Sequence, residues 1–208
     1  MSANDIQTVY PSLTLSPPVV GRPPALIVMS GLPGSGKSHL ARKLCESHPF
    51  TLIGSDWIRA TLIERPRYTP AENDRVYEAA DALVWRLARE GRDTIYDAAN
   101  LSESRRWGVR VIGIDAGARA LTILVAAPPT VIRERLRLRV QREILRGESE
   151  ADWAVYEKLA PLAEPVRHQH LRVDTTQDLK PVIAEVLDWV RPPDGRQPIR
   201  PPDGPQLQ

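Results

Sequence analysis

The sequence has little cysteine and no long apolar run. Its single cysteine, Cys45, cannot form an internal disulfide, which is typical of a protein from a reducing compartment. No group of cysteines and histidines has the spacing of a zinc site. No apolar stretch approaches the ~20 residues that a helix needs to cross a bilayer, and the N-terminus lacks the pattern of a signal peptide. The sequence therefore predicts a cytoplasmic protein that does not span a membrane.

Lysine is also scarce, because only four of the 28 basic residues are lysines. The net charge of +2 is too small to indicate nucleic-acid binding by itself. The length of 208 residues and the 42% apolar content suit one globular domain with its own core. A lysine inside a functional motif is therefore a specific signal in this chain.

Proline marks the two ends of the predicted domain. Residues 1–24 contain five prolines and no sustained periodicity, so we expect a flexible arm. Residues 191–208 contain the sequence RPPDG twice, which predicts a disordered Pro-rich tail. The folded domain is predicted to span residues 25–190.

Within that domain, short apolar runs alternate with helical segments. Strands are predicted at 25–29, 50–54, 94–96, 121–126 and 171–173. Alternating strands and helices are typical of an α/β fold, in which a parallel sheet carries helices on both faces. Ligands of such sheets bind at the carboxyl ends of the strands.

The residues after the first strand match the P-loop pattern G-x-x-x-x-G-K-[ST], and they open a predicted helix. The motif consists of Gly31, Leu32, Pro33, Gly34, Ser35, Gly36, Lys37 and Ser38. Backbone N–H groups of such a loop and the N-terminus of the following helix bind phosphates. Lys37 is expected to contact the β- and γ-phosphates of ATP, and the Ser38 hydroxyl is expected to bind Mg²⁺. The alternative is a Gly-rich turn that binds no ligand. The order of strand, loop and helix favours the P-loop over this alternative.

Acids follow the second and third strands. Asp56 and Asp97 could each cap a helix or fix a turn. Their common position beside a P-loop favours a catalytic role over a structural one. A kinase needs one carboxylate to accept the proton of the acceptor hydroxyl and another to order the water shell of the metal.

The predicted helix after the fourth strand is rich in arginine. Arg135, Arg139 and Arg142 are spaced to share one face. A solvated face balanced by glutamates is one interpretation. The other is a lid whose planar cations neutralise charge during phosphoryl transfer.

These segments together resemble the polynucleotide-kinase-like P-loop kinases, a group that includes zeta-toxin-like kinases. The resemblance rests on GLPGSGKS, SDWIR, IYDAANLSESRR and the Arg-rich helix. Within this group, the chain is similar to the 5′-hydroxyl kinase domain of phage polynucleotide kinase. It implies a five-stranded parallel sheet in the order 2-3-1-4-5. It also implies an ATP- and Mg²⁺-dependent kinase.

The same resemblance implies roles for single residues. Asp56 matches a general base, and Arg59 matches an arginine that binds a phosphate of the acceptor. Asp97 and Asn100 match the acceptor pocket, and Arg139 matches the lid arginine at the transition state. A nucleic-acid 5′-hydroxyl end is the predicted acceptor. A small-molecule kinase acting on a sugar, nucleoside or antibiotic and a P-loop ATPase that regulates a partner remain as alternatives, and the oligomeric state is left open.

Overall fold

The computed structural model describes residues 3–144 and 153–191, and it leaves aside the side chains of residues 3–4 and 140–144. Parallel strands form one sheet in the order β2-β3-β1-β4-β5. They are β1 (Ala25–Ser30), β2 (Thr51–Gly54), β3 (Thr94–Asp97), β4 (Arg119–Ala126) and β5 (His170–Asp174). The five predicted strands and their predicted order are therefore confirmed.

Helices connect the strands and cover both faces of the sheet. They are α1 (Ala3–Val9), α2 (Lys37–Ser47), α3 (Ser55–Leu62), α4 (Pro70–Arg89), α5 (Glu103–Asp115), α6 (Pro129–Ile144), α7 (Trp153–Leu159) and α8 (Lys180–Val190). Short 3₁₀ turns lie at Tyr10–Ser12 and Ala160–Leu162. Within 3–144 and 153–191, no helix combines the length and the apolar character that a bilayer crossing needs.

The central strand β1 divides the core into two halves. All six of its residues are buried, as expected for a strand with helices on both faces. Leu26 and Val28 pack with residues of α3, α4 and α5, whereas Ile27 and Met29 pack with residues of α2 and α8. Each such side chain contributes about 1.5–3 kcal/mol through burial. The sheet is therefore a rigid base for the loops at its carboxyl edge.

The first residues of the chain differ from the predicted flexible arm. Val9 is fully buried in the core, and Asp5 accepts two hydrogen bonds from Arg75, at 2.7 and 2.9 Å. The buried Ser16 donates its N–H to the Thr51 hydroxyl at 2.9 Å. The apolar residues of α1 pack against α3 and α4, and this packing folds the segment in spite of the prolines that follow it. The domain therefore begins before residue 25, and the predicted Pro-rich tail from residue 192 onwards lies outside the described residues.

A buried charge cluster joins the arm to the sheet at its amino edge. Asp93, which is 1% exposed, accepts hydrogen bonds from Arg22, from the Ala25 N–H at 2.8 Å and from His48 at 2.6 Å. His48 in turn contacts Arg191 at the end of α8. Burial alone would raise the pKa of Asp93, but these bonds outweigh it and hold the pKa below its ordinary value.

This cluster predicts acid-sensitive stability. Since the folded-state pKa of Asp93 is lowered, its contribution to the free energy of unfolding is present above about pH 4 and is lost as the pH falls through the folded-state value. Asp93→Asn is therefore expected to lower that free energy by about 3 kcal/mol at pH 7, and by less at acidic pH. Urea unfolding at several pH values measures the difference. The exposed Asp74→Asn is the control, and a difference between wild type and Asp93→Asn that does not depend on pH would contradict the assignment.

Candidate active site

The P-loop joins the end of β1 to the start of α2. Gly31 has a φ of 149°, and a Cβ atom there would lie 2.3 Å from the Val125 carbonyl oxygen of the neighbouring strand. Gly36, the residue before α2, has a φ of 101°, which L-amino acids with side chains rarely adopt. The Ser35 N–H donates to the Leu32 carbonyl at 3.2 Å within the loop. The glycines thus permit the tight curl that brings backbone N–H groups towards a phosphate.

Lys37 is the point at which several predicted site residues meet. Its ammonium group reaches back across the loop and donates to the Leu32 carbonyl at 2.9 Å. Burial lowers the pKa of Lys37, whereas the nearby carboxylates of Asp97 and Asp56 raise it and the charge of Arg139 lowers it further. The lysine therefore lies within electrostatic range of both acids and of one arginine from α6.

The two acids meet because β2 and β3 are paired in register. Gly54 lies opposite Asp97, so the carboxyl ends of the two strands are level, and Asp56 follows in the first turn of α3. Burial raises the pKa of Asp97, and a hydrogen bond with the Ser38 hydroxyl opposes this shift. Asp56 is exposed. One carboxylate is thus held against the P-loop serine while the other faces solvent.

Arg59 follows Asp56 by three residues in α3 and is buried. Its side chain lies beneath the Tyr68 ring, 4.6 Å from the centroid, and donates to the Asn73 side-chain oxygen at 2.7 Å. Glu72 is 3.8 Å from a terminal nitrogen of Arg59. Among the residues that the structure describes, neither this terminal nitrogen nor the Nε of Arg59 has a hydrogen-bond partner. A cation that is only 6% exposed therefore retains unused donors on two of its nitrogens.

The turn before α4 encloses this arginine. Thr69 caps the helix by accepting from the Glu72 N–H at 3.3 Å. The Glu72 carboxylate accepts from the N–H groups of Arg67 and Tyr68, at 2.9 and 2.7 Å, and so holds Tyr68 at a φ of 56°. Tyr68 is 46% exposed, so its ring covers Arg59 and also faces solvent. Sequence reasoning missed Tyr68 and Asn73, because the capping pattern gives no sign that this turn folds over Arg59.

Asn100 is buried behind the ends of β1 and β3. It is 1% exposed, it has a φ of 43°, and its side-chain amide donates to the Met29 carbonyl at 2.8 Å. Its own carbonyl accepts from the Ser30 hydroxyl and from Arg106, both at 3.0 Å. Among the described residues its side-chain oxygen has no hydrogen-bond partner, and the acceptor role of Asn100 stays a prediction. Asn100 joins the ends of β1 and β3, because an amide can satisfy backbone groups that the sheet leaves unpaired there.

The predicted lid arginines separate into different positions. Arg139 influences the ionisation of Lys37 and therefore lies near the phosphate-binding region. Arg135, one helical turn earlier, instead donates to backbone carbonyls of the P-loop and to Thr175 after β5. The side chain of Arg142 lies outside the described residues. Thr175 was missed from the sequence, because no motif marks it.

Comparisons with known proteins find a family, sequences and folds that are similar to this chain. A model of the protein family described as an AAA domain matches residues 26–166. A protein named probable adenylyl-sulfate kinase, from Aeropyrum pernix, is 27% identical over 145 residues, which are 67% of this chain and 79% of that protein. The family match thus covers the P-loop, both acids and the arginine-rich helix.

Solved structures share the fold. The APS kinase of Mycobacterium tuberculosis in complex with AMPPNP and APS has a TM-score of 0.61 at 20% identity, over 80% of this chain and 97% of that one. A chain of the Pnkp1/Rnl/Hen1 RNA repair complex has a TM-score of 0.59 at 20% identity, over 69% of this chain and 45% of that one. At these identities the likeness shows a common architecture.

Proposed function

Because this chain belongs to the AAA domain family, we propose that it is an ATP-dependent phosphotransferase, a kinase that acts on the hydroxyl group of an anionic acceptor. The observation that carries the proposal is the environment of Lys37. Two strand-end carboxylates and an arginine of α6 lie within electrostatic range of the P-loop lysine, and one of the carboxylates also bonds with the Ser38 hydroxyl of the same loop. This is the set of charges that phosphoryl transfer requires.

Each residue has a role in the proposed reaction. A bond forms between the acceptor oxygen and the γ-phosphorus, the bond from that phosphorus to its bridging oxygen breaks, and ADP leaves. Asp56 is the proposed acceptor of the proton from the hydroxyl, because it lies in the first turn after β2 and its exposed carboxylate is accessible to an acceptor. Lys37 and Arg139 compensate the negative charge of the transferred group. The P-loop N–H groups hold the phosphates of the nucleotide.

The residues beside the loop suit Mg²⁺. The Ser38 hydroxyl and the Asp97 carboxylate lie together and are oxygen donors, which this ion prefers. In the part of the chain that the structure describes, no three acidic, histidine or cysteine side chains form a metal cluster. Mg²⁺ in such enzymes is bound largely by phosphate oxygens and water, so two protein donors are sufficient. We therefore assign Ser38 and Asp97 to the ion, which supplies charge neutralisation when bound.

The surroundings of Arg59 support an acceptor that carries an anionic group. A buried guanidinium with an unused N–H is costly unless an anion pairs with it, and Glu72 at 3.8 Å makes no hydrogen bond to it. The half-exposed ring of Tyr68 above Arg59 adds a surface on which a nucleobase could stack. A phosphate beside a base is the chemistry of a nucleotide, and a nucleic-acid 5′-hydroxyl end is the proposed acceptor.

A mononucleotide is the second candidate acceptor. The observation that favours it is the similarity to the protein named probable adenylyl-sulfate kinase, which extends over 79% of that protein. Arg59 and Tyr68 would serve either acceptor in the same way. The two candidates differ in the length of the acceptor beyond the nucleotide that Arg59 binds.

Transfer of labelled γ-phosphate from ATP to a panel of acceptors tests the proposal. The panel contains a 5′-hydroxyl oligonucleotide, adenylyl sulfate, an uncharged nucleoside and a sugar. Labelling of the oligonucleotide is the expected result, and labelling of adenylyl sulfate alone would favour the second candidate. Labelling of only the neutral acceptors would contradict the anionic class, and ATP hydrolysis that no acceptor stimulates would contradict a kinase.

Arg59→Gln is expected to weaken binding of an anionic acceptor without affecting a neutral one. The loss of a charge-assisted contact costs about 1.5–3 kcal/mol, so KM for the oligonucleotide should rise by about 10- to 100-fold. Steady-state kinetics with the oligonucleotide and with an uncharged nucleoside measure the effect, and thermal melting confirms the fold. Arg67→Gln, an exposed arginine of the same turn, is the control. An equal rise in KM for both acceptors would exclude an anion-binding role for Arg59.

A further inference from the structure

Thr175 connects the end of β5 to the P-loop. Its N–H donates to the Ala126 carbonyl at the end of β4, at 3.0 Å. Its hydroxyl donates to the Ser35 carbonyl at 2.6 Å and accepts from Arg135 at 2.7 Å. Thr175 thus joins the sheet through its backbone N–H, and α6 and the P-loop through its hydroxyl.

Arg135 completes this connection. One terminal nitrogen of Arg135 donates to the Thr175 hydroxyl and, at 3.2 Å, to the Ser35 carbonyl, while the other donates to the Thr175 carbonyl at 3.0 Å. Because guanidinium is always charged, it polarises the hydroxyl and strengthens the bond that the hydroxyl makes to Ser35. The terminal nitrogens of Arg135 therefore donate to Thr175 and to the P-loop backbone and are not directed at a phosphate.

Peptide geometry relates this bond to the nucleotide. The carbonyl of Ser35 and the N–H of Gly36 belong to one planar trans peptide and point in opposite directions. Thr175 and Arg135 both donate to this carbonyl, so the Gly36 N–H points away from them, and the backbone N–H groups of a P-loop are the groups that bind phosphate. Without that bond the peptide could rotate, since glycine allows a wide range of backbone angles.

Packing fixes the same peptide from a second direction. A Cβ atom on Gly36 would lie 3.0 Å from both the methyl and the hydroxyl group of Thr175, so the two residues are in close contact. We propose that Thr175, held by Arg135, is a positioning residue that orients the Gly36 N–H of the P-loop for nucleotide binding. This inference depends on the nucleotide binding of the proposed function and not on the identity of the acceptor.

Nucleotide binding by matched threonine variants tests this role. Thr175→Val keeps the shape but loses the hydroxyl, so the Kd for AMPPNP should rise about tenfold, whereas Thr175→Ser should stay within about twofold of the wild type. Thr176→Val is the control, because the Thr176 hydroxyl bonds to Asp174 at 2.8 Å and not to the loop. Titration calorimetry gives the Kd, and thermal melting shows whether each variant folds.

A second variant and a spectroscopic measurement keep the test independent of the stability of Thr175→Val. Arg135→Gln should also weaken AMPPNP about tenfold, and the double variant should add little, since both residues act on one peptide. On AMPPNP binding, the Gly36 amide resonance should shift strongly in the wild type and weakly in either variant.

Three outcomes would overturn the inference. They are a Thr175→Val variant that binds like the wild type, a Thr175→Ser variant as weak as Thr175→Val, and additive effects of the two substitutions. A wild-type protein that does not bind AMPPNP would remove the proposed function as well, whereas a failure confined to the variants removes only the role of Thr175.

Discussion

Replacement of Lys37 by alanine is expected to abolish phosphoryl transfer while the protein remains folded. The ammonium group donates to the P-loop backbone and lies within electrostatic range of two carboxylates, where it can compensate charge that develops on the transferred phosphoryl group. Removal of a preorganised donor of this kind from a buried site lowers kcat by about 10²- to 10³-fold. Initial rates of transfer from labelled ATP measure the loss, and circular dichroism together with thermal melting measures the fold.

Lys43→Ala is the matched control for this substitution. Lys43 lies on the same helix, α2, but its ammonium group pairs with Glu46 at the surface, at 2.7 Å. This variant should keep the activity of the wild type, because an exposed ion pair contributes little. Full transfer activity in Lys37→Ala, or an equal loss in both variants, would contradict the assignment of the site.

Arg139→Ala is expected to lower kcat by about 10³-fold with a smaller change in the KM for ATP. Arg139 is exposed on α6, and its charge reaches Lys37. An arginine that contacts the transferred group mainly in the transition state changes kcat by this amount. Saturation kinetics with ATP separate kcat from KM.

Arg137→Ala tests whether the effect belongs to the position or to the charge of the helix. Arg137 lies two residues earlier and makes an exposed pair with Glu134, at 2.7 and 2.8 Å. The loss of this pair should leave transfer nearly unchanged. Similar losses in both variants would indicate a general electrostatic surface in place of a specific lid arginine.

Local sequence patterns were sufficient to predict the P-loop and the strands of the sheet. The loop needs glycines at fixed positions and a lysine at the start of a helix, and all of these are contiguous in the chain. Strand-end positions also predicted that Asp56 and Asp97 meet, since parallel strands end at a common edge. The spacing of four residues between Arg135 and Arg139 predicted that they share one face of α6. It could not show that Arg135 bonds to the P-loop backbone while the charge of Arg139 acts on Lys37.

Contacts between separate elements of the fold could not be predicted from the sequence. Tyr68 covers Arg59 from a turn nine residues later, and Thr175 bonds to a loop 140 residues earlier. Asn100 lies in a motif, yet its side chain bonds to the neighbouring strand. In each case the partner is set by how strands and turns pack, and no pattern in the local sequence encodes that packing.

The sequence by itself determined the α/β architecture, the strand order through its family resemblance, and the P-loop, because these depend on periodicity and on contiguous motifs. The tertiary structure alone decided that the first residues join the core, as the burial of Val9 shows, and that Arg135 binds the backbone while Arg139 acts on Lys37. It also decided that Arg59 is buried with an unused donor. Burial and the direction of a side chain depend on which segments pack together, and that choice is made by the whole chain at once.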